Sequence, residues 1–245
     1  MARYFIEVSY KGTAYSGFQR QENAHTVQAE LENAIAVLQR ESIQLTGSSR
    51  TDAGVHAHQN FFHCDFEGEW HPQAVYKLNA ILPADLVLRQ IKLMPQEAHS
   101  RFDARSRRYR YFIYTHKNPF VADRAYYFPY RIDLDRMQEA AALLKEYKDF
   151  TSFSKRNTQV KTFDCEILES SWAQWEEGFY YEVRANRFLR GMVRALTATM
   201  LQVGRGKLTL LDFRRIIDAK DCTVASFAVP AHGLFLEEVE YPYDI

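Results

Sequence analysis

Residues 165–188, "CEILESSWAQWEEGFYYEVRANRF", decide the fold. Two runs rich in aromatic and β-branched residues meet at Glu177-Gly178, which reads as a β-hairpin. A hairpin joins antiparallel neighbours, whereas a parallel pair needs a long crossover. The stretch therefore argues against a doubly wound parallel sheet. Upstream, "RYRYFIYTH" is a strong strand, with Tyr109, Tyr111 and Ile113 on one face and Arg108, Arg110 and Phe112 on the other. "DLDRMQEAAALLKEY" predicts a helix opened by Asp133 as N-cap. Downstream, "FLRGMVRALTATMLQVG" predicts a helix with Leu189, Val193, Leu196, Met200 and Val203 in one stripe and Gly204 ending it. A further helix, "TLLDFRRIIDAK", and a strand, "GLFLEEVEY", close the chain.

The first part of the chain repeats the mixture. Tyr4, Ile6, Val8 and Tyr10 alternate as in a strand, and Thr26 caps a helix carrying Val27, Leu31, Ala34, Ile35 and Leu38. A strand is expected over residues 42–46, a helix in "HPQAVYKLNAILP" and a strand in "DLVLRQIKLM". The expected class is α+β: two similar halves, 1–105 and 106–245, with a largely antiparallel mixed sheet flanked by helices.

With 245 residues, 47% hydrophobic and 14% aromatic, the chain has ample core material and is not a disordered protein. Three cysteines far apart (Cys64, Cys165, Cys222) suggest reduced thiols, and no apolar run is long enough for a signal peptide or a membrane span. A soluble, cytoplasmic protein is expected. Lys plus Arg equals Asp plus Glu, 31 each, yet the charges segregate. Residues 99–117 hold Arg101, Arg105, Arg107, Arg108, Arg110 and Lys117 against Asp103 alone. Residues 184–215 hold eight cations against Asp212 alone. Arginine forks suit phosphate, and interleaved tyrosines suit unpaired bases, so RNA is one reading and a solvated face the other. Arg187, Arg190 and Arg194 fall in one stripe beside the apolar one, so Arg194 needs a partner at the core boundary.

The stretch "GSSRTDAGVHAHQ", residues 47–59, carries the densest chemistry. His56 and His58 share a strand face and form a geometrically possible metal pair. No second cysteine or helical ligand motif accompanies them, and no metal is expected. Ser48 and Ser49 do not sit in a nucleophile elbow. Asp52 remains. It either caps a turn or pairs with Arg50, or it is a carboxylate kept ionised by nearby cations and available for chemistry.

"SRTDAGVHA" closely resembles the signature loop of the tRNA pseudouridine synthase A (TruA) family. "YKGTAYSGFQRQ", "TVQAELENA", "LNAILP", "SRFDARSRRYRY", "DFTSF", "NRFLRGMVR" and "VGRGK" resemble further family blocks in family order. The resemblance implies a pseudouridine synthase type fold and an enzyme that isomerises uridine at positions 38, 39 and 40 of the tRNA anticodon stem-loop, without a cofactor. It implies that Asp52 is catalytic, that Arg194 is the active-site arginine pairing with it, and that Tyr109 and Arg50 meet the substrate. The two halves then complete a basic cleft. "AHSRF" (Ala98, His99, Ser100, Arg101, Phe102) and "NTQVK" (Asn157, Thr158, Gln159, Val160, Lys161) align with tRNA-contacting segments, and a homodimer is implied. The chain departs from the pattern at Ser49, where glycine is usual, at "HQN" (residues 58–60), where Gly-Gln is common, and in "AHSRF" itself.

Overall fold

The computed structural model describes residues 1–156 and 160–245. The chain forms two compact units, Met1–Arg105 with Phe235–Ile245, and Ser106–Leu234. Both mix helices with mainly antiparallel strands, the α+β organisation expected from the hairpin.

In the first unit, β1 (Ala2–Tyr10) lies between β3 (His56–Phe66) and β4 (Leu86–Met94), antiparallel to both. The two-residue β2 (Thr46–Gly47) pairs with β3 on its other side. The closing strand β9 (Leu234–Glu240) runs parallel to β3, with His56 opposite Phe235. This pairing brings the last residues of the chain back to the first unit, which a single division at residue 105 does not describe. Helix α1 (Val27–Gln39) starts where Thr26 Oγ1 accepts from Ala29 N at 3.3 Å, and it packs on α2 (Ala74–Ile81).

The strand expected over residues 42–46 shortens to β2. Helix side chains satisfy the backbone there instead: Leu45 N donates to Glu32 Oε1 at 3.1 Å and Gln28 Nε2 donates to Leu45 O at 2.8 Å. A backbone already satisfied from the side has no need of a ladder partner.

In the second unit, β5 (Ser106–Tyr114), β8 (Gly178–Ala185) and β7 (Ile167–Trp175) form an antiparallel set, and β6 (Tyr126–Tyr127) pairs parallel to β5. The hairpin turns at Glu176 and Glu177, one residue earlier than expected. Alternation on β5 is as read from sequence: Tyr111 and Ile113 are fully buried. Helix α3 (Leu134–Leu143), capped by Asp133, packs on β7 and on α4 (Met192–Gly204), and α5 (Leu210–Asp218) packs on both helices.

α4 departs from the expected helix at its start. It begins at Met192, so Leu189, Arg187 and Arg190 precede it and the three arginines do not form a helical stripe. Gly204 is the last residue of the helix, where the sequence reading ended it. Its role is steric, because a Cβ there would stand 2.4 Å from Met137 Sδ. The left-handed glycine that ends the segment is Gly206, at φ 70°. Eleven of the thirteen α4 residues are buried, so the helix is core on nearly every side.

Candidate active site loop and RNA-binding segments

The Asp52 loop is built inside the first unit. Val55 N donates to Asp52 O at 3.2 Å, closing a turn over Ala53 and Gly54. Gly54 takes φ 78°, a left-handed value that suits glycine. Thr51 on one side of Asp52 is buried, and its carbonyl accepts from Phe18 N at 3.2 Å. Ser48 N donates to Phe61 O at 2.8 Å, tying the other side to β3. Phe18 stacks on Phe62 at 4.3 Å beneath Gly47, where any Cβ would strike its ring at 2.4 Å. Buried flanks thus carry a half-buried Asp52 and an exposed Arg50.

His56 and His58 support this loop. His56 is buried, and its Nδ1 accepts from Gly12 N at 3.0 Å. His58 Nδ1 lies 2.7 Å from Glu237 Oε2, and both imidazoles rest against the Phe235 ring. They bind the start of β3 to β9 and to the Gly12 turn. Among the described residues, no group of three or more His, Cys, Asp or Glu side chains could hold a metal ion.

The turn at residues 98–103 is pinned from its buried side. Ala98 and Ser100 are fully buried. Ser100 places both its N (3.3 Å) and its Oγ (2.8 Å) against His63 Nδ1, and Tyr241 Oη donates to Ser100 O at 2.5 Å. Tyr243 Oη donates to Asp103 Oδ2 at 2.6 Å. Burial lowers the His63 imidazole to a pKa of about 4 and also lowers that of His99. Both rings are therefore neutral near pH 7, as acceptors at Nδ1 must be; His99 Nδ1 accepts from Arg101 N and Phe102 N at 3.1 and 3.3 Å. On the open side Phe102 is 74% exposed, with the Arg101 guanidinium 5.6 Å from its ring centre. A cavity of about 310 Å³ between Phe18, Gly47, Arg50, His99, Arg101 and Phe102 joins this turn to the Asp52 loop.

In the second unit, Tyr109 sits opposite Val183 and is half-buried, with its ring edge-on to Phe188 at 5.1 Å. The half-buried Arg194 guanidinium donates to Val229 O from Nε (3.0 Å) and Nη2 (2.7 Å), a partner no sequence pattern announces. Val160 is half-buried and Lys161 exposed; Asn157, Thr158 and Gln159 lie outside the described residues.

The two basic stretches prove less uniform than their composition. Arg110 pairs with Glu182 at 2.5 Å and Arg184 with Glu169 at 3.3 Å, because ladder register sets each pair face to face. Arg214 pairs with Glu146 and Arg215 with Asp212. Sequence reasoning also missed the contacts of Tyr10 with Thr51 and Asn60, of Tyr241 with Ser100 and of Tyr243 with Asp103, each spanning 40 or more residues.

An α+β chain presenting a carboxylate on a pinned turn, beside exposed arginines and an exposed aromatic ring, is equipped as an enzyme acting on a polyanion with stackable bases. The family model described as tRNA pseudouridine synthase matches residues 6–105 and 140–242. The chain belongs to that family. It is 46% identical to tRNA pseudouridine synthase A of Parabacteroides distasonis, covering 100% of this chain and 98% of that protein. The corresponding protein of Porphyromonas gingivalis is 44% identical, covering 100% and 99%. That of Bacillus subtilis is 38% identical, covering 96% and 97%.

Proposed function

We propose that this protein converts uridine to pseudouridine at positions 38, 39 and 40 of the tRNA anticodon stem-loop, with Asp52 as the catalytic carboxylate. Family membership supports the reaction. The observation that carries the residue assignment is the Asp52 turn itself, hydrogen-bonded on both flanks and holding Asp52 half-buried beside exposed Arg50.

The reaction breaks the N1–C1′ bond, turns the uracil and forms a C5–C1′ bond. N1 gains a proton and C5 loses one, so the step is a redox-neutral isomerisation. A pre-positioned carboxylate serves it by attacking sugar or base, or by assisting loss of the sugar's C2′ proton. Stem uridines must first leave their stack, at a cost of about a few kcal/mol. Arg50 and Arg101 offset this through phosphate contacts, and Phe102 through stacking on an unpaired base. Tyr109 and Arg194 are assigned to the substrate uridine. The 98–102 and 157–161 segments are assigned to the tRNA backbone. The working form is a cytoplasmic homodimer; no described helix is long and apolar enough to cross a membrane.

The test is to incubate purified protein with unmodified tRNA and map pseudouridine at single-nucleotide resolution. Product confined to positions 38–40 is expected. Product elsewhere in the tRNA overturns the site assignment, and absence of product on every tRNA overturns the activity.

A further inference from the structure

Asn60 is fully buried on β3, and the sequence gives it no role beyond ending the "HQN" segment that departs from the family pattern. Its carboxamide uses all four of its hydrogen-bonding positions. Nδ2 donates to Tyr10 Oη at 3.0 Å and to Ser49 O at 3.1 Å. Oδ1 accepts from Ser48 Oγ at 2.8 Å and from Phe61 N at 2.9 Å. A carboxamide has two donor hydrogens and two acceptor sites, so this one is saturated and its orientation is fixed. The Tyr10 hydroxyl in turn lies 2.7 Å from Thr51 Oγ1. All the groups in this chain of contacts are buried, where each unmade bond is costly.

The contacts converge on one place. Ser48 and Ser49 precede Arg50, and Thr51 precedes Asp52 directly. Strand register explains how the network assembles: Asn60 is the partner of Val8, and Tyr10 lies two residues further along β1, on the same face. The two departures from the family loop pattern, Ser49 and the "HQN" segment, also meet here, since Asn60 donates to the Ser49 carbonyl.

We infer that Asn60 is a positioning residue for the Asp52 carboxylate, holding the loop from both sides, directly through Ser48 and Ser49 and through Tyr10 at Thr51. The inference rests on the proposed role of Asp52. It adds that the loop is held by a saturated buried carboxamide and not by turn geometry alone. Displacement of a reacting group by about 1 Å costs about a hundredfold in rate, so loosening this hold acts on the chemical step. Arg50 rides on the same loop, but the 98–102 and 157–161 segments assigned to the tRNA backbone lie outside the network, so most of the binding is expected to be spared.

The experiment compares wild type, Asn60→Asp, Tyr10→Phe and Asp52→Asn. Asn60→Asp keeps the shape and removes both donors; Tyr10→Phe removes one oxygen and decides the matter if Asn60→Asp does not fold. For both, kcat on tRNA is expected to fall about ten- to a hundredfold while tRNA Kd stays within about twofold. Hydrogen exchange of the amides in residues 48–55 is expected to accelerate about tenfold, with β1 and β4 unchanged. This second readout needs no activity. A kcat within about twofold of wild type, a kcat and Kd that worsen together, or unchanged exchange in the loop overturns the inference. A wild type that makes no pseudouridine, or an Asp52→Asn variant that still does, strikes the proposed function instead, and the exchange comparison still decides on Asn60.

Discussion

Gly12→Ala places one methyl group where the Asp52 loop has no room for it. The Cβ would lie 1.9 Å from the Val55 carbonyl oxygen and 2.6 Å from its carbon. Both are backbone atoms, so no side chain can swing aside. Reaching ordinary contact near 3.4 Å requires the Gly12 turn and residues 52–56 to part by about 1.5 Å. That separation also breaks the Gly12 N bond to His56 Nδ1. Overpacking of this kind costs about 1–3 kcal/mol, which in a chain of this size lowers Tm by about 2–10 °C. If Asp52 performs the chemistry, a shift of this size lowers kcat by about a hundredfold. The assay is thermal unfolding together with single-turnover pseudouridine formation at saturating enzyme. Gly206→Ala is the control: Gly206 has positive φ but open space, its nearest neighbour being 3.9 Å away, so it should lose about 1 kcal/mol and keep its kcat. A Gly12→Ala protein with wild-type Tm and wild-type kcat would refute the reasoning about this loop.

Two further outcomes follow from the 98–103 turn. Arg101→Ala should weaken tRNA binding and reduce the slope of log K against log salt by about 0.7–0.9, while Phe102→Ala should weaken binding about tenfold with no change in slope; filter binding across salt concentrations separates them. The buried His63 titrates at about 4 when folded and near its ordinary value when unfolded, so the unfolded chain binds the extra proton between these values. Stability is therefore full above about pH 6.5 and falls by up to about 3 kcal/mol as the pH drops to about 4; denaturant unfolding at several pH values should show this fall, and His63→Asn should flatten it.

How much of this was legible in the sequence depended on how local each cause was. Asp133 and Thr26 are caps because their partners lie three residues on, and both read correctly. Alternation on β5 placed Tyr111 and Ile113 inside. Residues 42–46 read as a strand from composition, and nothing local revealed that Glu32 and Gln28 would occupy their backbone. Gly204 read correctly as the helix end, but its close approach to Met137 of another helix was not legible. The charge runs looked unopposed because Glu182 and Glu169 face Arg110 and Arg184 only once the register is set. Asp52 could be singled out as a candidate, but local physics left it divided between a turn cap and a reactive group. Its surroundings became visible only when Tyr10 and Asn60 came together from two strands.

The central claim is that Asp52 performs chemistry and does not merely hold a turn. The most direct measurement sets Asp52→Asn against wild type on the same tRNA, recording both Kd and pseudouridine formed under single-turnover conditions. With Asp52 as the reacting group, Kd stays within about threefold of wild type and product falls by at least about a thousandfold. Product formed at a near-normal rate by Asp52→Asn would contradict it.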